Sequence, residues 1–291
     1  MTWLITGGSG QLGLALQTEL NIQGINYVST NTSQLDISNL LLVTKFVDSI
    51  SPEVIINAAA WTDVDGAETN ESAASEVNAI GPQNLAIAAK KVGARMVQVS
   101  TDYVFSGAST APWGETVERN PQSVYGSTKS AGEKYVLGEL PGASYVVRTA
   151  WLYSADRKNF AKTMTKLALS GAGEVRVVND QVGQPTFATD LAKQIVKLVL
   201  SNGPDGIYHG TNSGQATWFE FAQEIFKLVG ADASRVLPVS TSEFPRPAKR
   251  PSFSVLGHDN WAQTNVAPMR NWRNALADAI PAIISAVEAE G

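Results

Sequence analysis

The chain has 291 residues, enough for one large α/β domain or a large domain with a smaller one attached, and 44% hydrophobic with 17% charged residues is a normal globular balance. A net charge of -5 and a pI near 5.2 argue against the basic face of a nucleic-acid binder. With no cysteine, disulfides, a thiol nucleophile and cysteine-ligated metals are excluded, and the two distant histidines, His209 and His258, disfavour a histidine metal site. No run approaches the roughly 18–20 apolar residues of a membrane helix. The opening Met1-Thr2-Trp3-Leu4-Ile5-Thr6 has no basic n-region and reads as a strand rather than a signal peptide. The expectation is a cytoplasmic protein with no membrane or nucleic-acid partner.

Trp3–Thr6 is an apolar run ending at glycine, and Leu12, Leu16 and Leu20 follow on one helical face. Ile25–Ser29 is a second strand, after which Ser38 is the expected cap of a helix running to Ile50. Val54–Asn57 is a third strand. Ala67–Val92 is alanine-rich and helical, with a bend or break expected at Pro82. Met96–Ser100, a helix over Val124–Leu140 and a strand over Tyr145–Thr149 complete a β-α rhythm. Strands apolar on both faces imply a doubly wound parallel sheet of the Rossmann type. After Trp151 the rhythm changes. Helices are expected over Asn159–Ser170, Thr189–Ser201, Trp218–Val229 and Asn271–Ala289, and short strands over Val175–Asn179 and Gly206–His209. Ser240–Pro251, rich in proline and basic residues, reads as a loop. The expected division is a dinucleotide-binding domain over 1–150, with later contributions from about 186–210, and a smaller, mainly substrate-binding domain over 151–291.

Thr6-Gly7-Gly8-Ser9-Gly10-Gln11-Leu12-Gly13 joins the first strand to the first helix and satisfies G-x-G-x-x-G from Gly8. Glycine here permits a tight turn, close approach of backbone to a pyrophosphate, and close helix packing; the helix N-terminus then offers free N–H groups to phosphate. The stretch Val28-Ser29-Thr30-Asn31-Thr32-Ser33 lacks the carboxylate that would hold a ribose 2′-hydroxyl, and it also lacks an arginine. NADPH is the expected cofactor, with NADH also admitted. Asp36 is open to two readings, an adenine contact or a helix-end role.

Ser100-Thr101-Asp102 ends the fourth strand, at the carboxyl edge where open parallel sheets bind ligands. Tyr125 and Lys129, four apart, share one helix face. An ammonium beside a phenol favours the phenolate and lowers its pKa toward a working range. Tyrosine, lysine and the Thr101 hydroxyl together suit proton transfer at a carbonyl coupled to nicotinamide hydride transfer.

The glycine loop, Asn57-Ala58-Ala59-Ala60, Ser100-Thr101-Asp102-Tyr103-Val104-Phe105 and Tyr125-Gly126-x-x-Lys129 resemble the extended short-chain dehydrogenase/reductase superfamily. Within it, Trp61-Thr62-x-Val64-Asp65-x-Ala67-Glu68, Ala131-Gly132-Glu133, Arg148-Thr149-Ala150-Trp151, Asn179-Asp180-Gln181-Val182-Gly183 and Pro247-Ala248-x-Arg250-Pro251 are similar to the dTDP-4-dehydrorhamnose reductase family along nearly the whole chain. The resemblance implies reduction of the 4-keto group of a dTDP-sugar, dTDP-4-dehydro-β-L-rhamnose, by NADPH or NADH. It implies Tyr125 as proton donor, Lys129 on the nicotinamide ribose and Thr101 on the reacting oxygen. Cofactor contacts are implied at Gly7, Gly10, Gln11, Leu12, Asp36, Ile37, Ala58, Ala59, Ala60, Tyr125 and Lys129. Substrate contacts are implied at Thr62, Val64, Thr101, Asp102, Tyr103, Tyr125 and Trp151, with Arg250 approaching the diphosphate. Against these stand plainer roles, Trp151 as core and Arg250 as a solvated charge.

Some members bind Mg²⁺ through glutamates at a dimer interface. This chain has Leu14-Ala15-Leu16 and Ala188-Thr189 in those places, so no Mg²⁺ is expected and the expected state is a monomer or weak homodimer. Two rivals remain at this level. A sugar-nucleotide epimerase shares the fold, whereas a dehydratase would carry an acid where Tyr103 stands. A non-catalytic binding subunit on the same fold is the other.

Overall fold

The computed structural model describes residues 2–290; Met1 and Gly291, the outer ends of the segments expected at 1–150 and 151–291, lie outside the described residues. In chain order the elements are β1 (Thr2–Thr6), α1 (Gln11–Ile22), β2 (Asn26–Thr30), α2 (Leu40–Ile50), β3 (Val54–Asn57), α3 (Val64–Ala67), α4 (Glu71–Ser75), α5 (Gly81–Val92) and β4 (Arg95–Thr101). There follow α6 (Val124–Glu139), β5 (Ser144–Thr149), β6 (Leu152–Tyr153), α7 (Phe160–Leu169), β7 (Val175–Val178), β8 (Val182–Gly183), β9 (Thr186–Phe187) and α8 (Ala188–Leu200). The last are β10 (Gly206–His209), β11 (Ala216–Thr217), α9 (Trp218–Val229), β12 (Val236–Val239) and α10 (Trp272–Glu288).

Six strands form one sheet in the order β10-β5-β4-β3-β1-β2, and every pairing in it is parallel. Side chains alternate between its faces with the period of two that a strand imposes. Trp3, Ile5, Val54, Ile56, Val97 and Val147 bury themselves against α1 and α8 through Leu12, Leu16, Leu191 and Ile195. Leu4, Ile55 and Met96 face the other way, onto α2, α5 and α6 through Val43, Val47, Leu85 and Val136. Both faces are covered, which is why these strands read as continuous apolar runs. A second core joins α7, α9 and α10 around Met164, Phe221, Phe226, Trp272 and Ile283.

Two local expectations are corrected. Asn39, not Ser38, caps α2: its side chain accepts from Leu42 N at 3.1 Å, while Ser38 bonds to Asp36 Oδ1 through both N (3.0 Å) and Oγ (2.7 Å). The alanine-rich stretch is not one helix bent at Pro82. It breaks earlier, between α3 and α4, and passes through a π-helical turn over Glu76–Ile80; Pro82 lies in the first turn of α5, where its missing N–H costs nothing. Asn78 in that π turn ties the loop after β3 to α6. Its amide accepts from Trp61 N (2.9 Å) and donates to Trp61 O (3.1 Å) and to Thr128 Oγ1 (3.2 Å).

Candidate active site

The connections diverge at the carboxyl ends of β1 and β3, where the chain leaves β1 toward β2 on one side and reaches β3 on the other. Ligands of open parallel sheets bind in the crevice formed at such a switch point. A cleft of about 620 Å³ opens there. A buried polar ladder fixes its floor: Thr6 Oγ1 donates to Asn57 Oδ1 (2.6 Å), and Asn57 Nδ2 donates to Gln98 Oε1 (2.8 Å). Asn57 Oδ1 also accepts from Ala59 N at 3.1 Å, which turns Ala58, Ala59 and Ala60 into the cleft wall.

The glycine loop forms the opposite wall. Gly7 has φ of +71°, and a Cβ there would stand 2.5 Å from Ala59 N, so both conformation and space require glycine. Gly10 is the residue preceding α1 and offers no side-chain cap, and the helix has no acidic residue in its first turn. Its first N–H groups and positive dipole end therefore face the cleft uncompensated, which fits a dinucleotide pyrophosphate. Gln11 and Leu12 line the same space, as do Asp36 and Ile37 further along. Asp36 lines the cleft, and its carboxylate closes the turn before α2 by accepting from Ser38 N and Oγ. Arg157 was not anticipated. It has φ of +60°, its Nε donates to Ser9 O at 2.7 Å, and it lines the cleft with Lys158.

The reacting end is built from β4, β5 and α6. Ser123 caps α6 by accepting from Gly126 N (3.1 Å), and Glu68 Oε1 accepts from Val124 N (2.9 Å), so two side chains hold the helix start that carries Tyr125. Gly126 lets that start approach the turn after β4, because a Cβ would meet Tyr103 O at 2.3 Å. Thr101 Oγ1 donates to Asp102 Oδ1 (2.9 Å) and accepts from Tyr103 N (3.2 Å). The Tyr103 and Tyr125 rings meet edge-on, centroids 5.5 Å apart. Thr62, Val64, Thr101, Asp102, Tyr103, Tyr125, Lys129 and Trp151 all line the one cleft.

The protonation picture differs from expectation. Burial pushes the Tyr125 phenol up to about 12, with the Thr101 hydroxyl opposing and the Asp102 charge adding. Lys129 does not pull it down here. Its ammonium donates to Val99 O at 2.6 Å, and burial draws its own pKa down to about 8 against the pull of Glu133. Burial likewise raises Asp102 to about 6, with the Ser254 and Thr101 hydroxyls opposing.

Trp151 is partly buried, packs against the second core and also faces the cleft. It has φ of +44°, lies flat on Trp218 with centroids 3.6 Å apart, and the stacked pair lines the cleft. A non-glycine residue in this region costs about 1–3 kcal/mol and persists only where its surroundings hold it. Trp218, at the first position of α9, carried no motif signal. Arg250 is neither a solvated charge nor a lining residue of the cleft. Its guanidinium forks onto Asp65, Nη1 to Oδ1 at 2.6 Å and Nη2 to Oδ2 at 2.9 Å, and this pairing holds the Asp65 carboxyl below the usual range. Among the described residues no group of three or more acidic or histidine side chains is arranged to hold a metal, and no helix is long and apolar enough to cross a membrane.

Residues 1–284 match the family model described as the RmlD substrate binding domain. A dTDP-4-dehydrorhamnose reductase of Streptomyces griseus is 44% identical, the match covering 97% of this chain and 93% of that protein. A dTDP-4-keto-6-deoxy-D-glucose reductase of Streptomyces niveus is also 44% identical, over 96% of each. The solved dTDP-4-dehydrorhamnose reductase of Bacillus anthracis in complex with NADP superposes with a TM-score of 0.92 at 40% identity, covering 96% of this chain and 98% of that one. The cleft, the parallel sheet beneath it and these whole-length matches together mean that the chain belongs to the RmlD substrate-binding-domain family.

Proposed function

We propose that this protein is an NAD(P)H-dependent reductase of the 4-keto group of a dTDP-sugar. Its best-supported substrate is dTDP-4-dehydro-β-L-rhamnose, reduced to dTDP-β-L-rhamnose. The observation that carries this reading is the convergence of Thr101, Tyr125 and Lys129 on the cleft bounded by the glycine loop. When bound, reduced nicotinamide supplies the hydride. Tyr125 donates the proton: a phenol held near 12 stays protonated at neutral pH, the state a donor needs. Thr101 bonds the reacting oxygen, and Lys129 bonds the nicotinamide ribose. Gly7, Gly10, Gln11, Leu12, Asp36, Ile37 and Ala58–Ala60 hold the rest of the cofactor. Thr62, Val64, Asp102, Tyr103 and Trp151 hold the sugar and its nucleotide, and Arg250 approaches the diphosphate from its seat on Asp65.

NADPH is the preferred cofactor and NADH is accepted. The absence of a carboxylate over residues 28–33 supports this, as do Arg157 and Lys158 in the cleft. The cofactor-binding part is assigned to residues 1–150 with later contributions from about 186–210, and 151–291 is assigned mainly to substrate binding. The protein is a cytoplasmic monomer or weak dimer without Mg²⁺. A second reading keeps the chemistry and changes the sugar to dTDP-4-keto-6-deoxy-D-glucose, because the Streptomyces niveus relative of that name is equally similar. Purified protein is assayed with NADPH and each 4-keto sugar nucleotide, with and without EDTA. Stoichiometric loss of NADPH absorbance, unchanged by EDTA, is expected. Isomerisation without net NADPH consumption would show an epimerase, and strict metal dependence would overturn the metal-free assignment.

A further inference from the structure

We infer that Glu133, with Arg148 and Arg119, is a positioning residue for this reaction: it holds Lys129 as an ammonium and ties the end of β4 that carries Thr101 to the helix that carries Tyr125. The inference rests on the reading of Lys129 as a cofactor contact.

Glu133 lies one turn beyond Lys129 on α6, so the two side chains share a face. It is fully buried. Its Oε1 accepts from Ser100 Oγ (2.5 Å) and Arg148 Nε (2.9 Å), and its Oε2 accepts from Arg148 Nη2 (2.8 Å) and Arg119 Nη1 (3.2 Å). Ser100 stands between Val99, whose carbonyl takes the Lys129 ammonium, and Thr101. One carboxylate thus braces both partners of the reacting oxygen. A buried ammonium is costly unless a counter-charge or hydrogen bonds compensate it. Lys129 is only 4% exposed, and Glu133 is the carboxylate that raises its proton affinity against desolvation.

Charged and titratable groups from several elements surround this centre. Tyr125 and Glu133 belong to α6, Arg148 to β5, and Asp102 to the turn after β4, where it acts on Tyr125. Arg119 and Glu115 come from the segment before α6; Glu115 O accepts from Arg148 Nη1 at 3.4 Å. His209 of β10 stands against Arg148 and is kept neutral by burial and by that arginine. Arg148 and Arg119 therefore offset part of the Glu133 charge. Removing Glu133 weakens the hold on the Lys129 proton, whereas removing Arg119 strengthens it.

This opposition of signs is the test. NADPH binding is followed by fluorescence from about pH 6 to about pH 10, a range that brackets the Lys129 titration. The wild-type protein is expected to lose affinity above about pH 8. In Glu133→Gln the loss is expected about one pH unit lower, the effect of deleting one nearby counter-charge; in Arg119→Gln it moves to higher pH. Arg119 is partly exposed, so its variant carries the test alone if Glu133→Gln does not fold. Limbs that do not move, limbs that move the same way in both variants, absence of a limb in the wild type, or loss of binding by folded Glu133→Gln even near pH 6 each overturn the inference. If the variants show these shifts while the wild type reduces no 4-keto sugar, the proposed function is refuted and only the hold of Glu133 on Lys129 stands.

Discussion

Replacing Tyr125 with phenylalanine removes one oxygen from the cleft and leaves its surroundings satisfied. Thr101 keeps its bond to Asp102 at 2.9 Å and its bond from Tyr103 N at 3.2 Å, so no buried polar group is orphaned. The ring keeps its edge contact with Tyr103, centroids 5.5 Å apart. Folding stability should therefore change by no more than about 1 kcal/mol, the net worth of one hydrogen bond. NADPH affinity should stay within about twofold, because the proposed Lys129 contact and the glycine loop are untouched. Turnover should fall sharply. A positioned general acid contributes about 10²–10⁴-fold, which corresponds to about 3–5 kcal/mol of barrier at 1.36 kcal/mol per decade. Three measurements belong together: kcat and KM from NADPH consumption, NADPH affinity by fluorescence quenching, and a thermal melt. A variant with wild-type melting and cofactor binding that retains kcat within about tenfold would refute Tyr125 as the donor.

Two further outcomes follow from features outside the reacting centre. Asp65→Ala removes the forked partner of Arg250; for a partly exposed pair this is worth about 1 kcal/mol, or roughly fivefold in local opening. Tryptic cleavage after Lys249, the cleavable bond of this stretch because Arg246 and Arg250 both precede proline, should accelerate by that factor, and an unchanged cleavage rate would show that other contacts hold the segment. His209 is held neutral in the folded protein, its pKa drawn from 6.5 down to about 3, so below about 6.5 the unfolded chain takes up a proton that the folded one refuses. Its contribution is full above that pH and is lost as pH falls toward about 3. Urea midpoints of His209→Gln should fall less steeply than wild type across this window; parallel slopes would contradict the assignment.

The parts of the site that were legible in the sequence are those built from local geometry. The strand–glycine–helix signature needs only Thr2–Ile22, and Tyr125 and Lys129 meet because four residues make one helical turn. The sheet was legible because its strands are buried on both faces and read as apolar runs. What was illegible depends on distant elements converging. Trp218 reaches Trp151 only because β11, which leads into α9, pairs with β8 beside Trp151, and no local period marks that meeting. Arg157 reaches Ser9 across 148 residues, and the only trace was a basic pair before a capping asparagine. The pairing of Glu133 with Arg148 is similarly non-local. The effect expected of Lys129 on Tyr125 failed for a related reason. Spacing puts the two on one face, but which neighbour receives the ammonium is decided by β4, whose Val99 carbonyl takes it.

The position of β10 bears on how the molecule is made. The cleft's chemistry is encoded before residue 151, yet the sheet that supports it gains its sixth strand only at Gly206–His209, and one of its faces is covered by α8. Until that stretch has left the ribosome, β5 has an unpaired edge, and Leu16, Val97 and Val147 have no Leu191 or Ile195 to lie against. Trp261 and Met269, which close the same face, emerge later still. The nascent chain must carry an unfinished sheet through the synthesis of β6 to β9, a stretch that belongs mainly to its other core. The glycine loop, among the first segments made, thus waits for the completed sheet beneath it until late in synthesis.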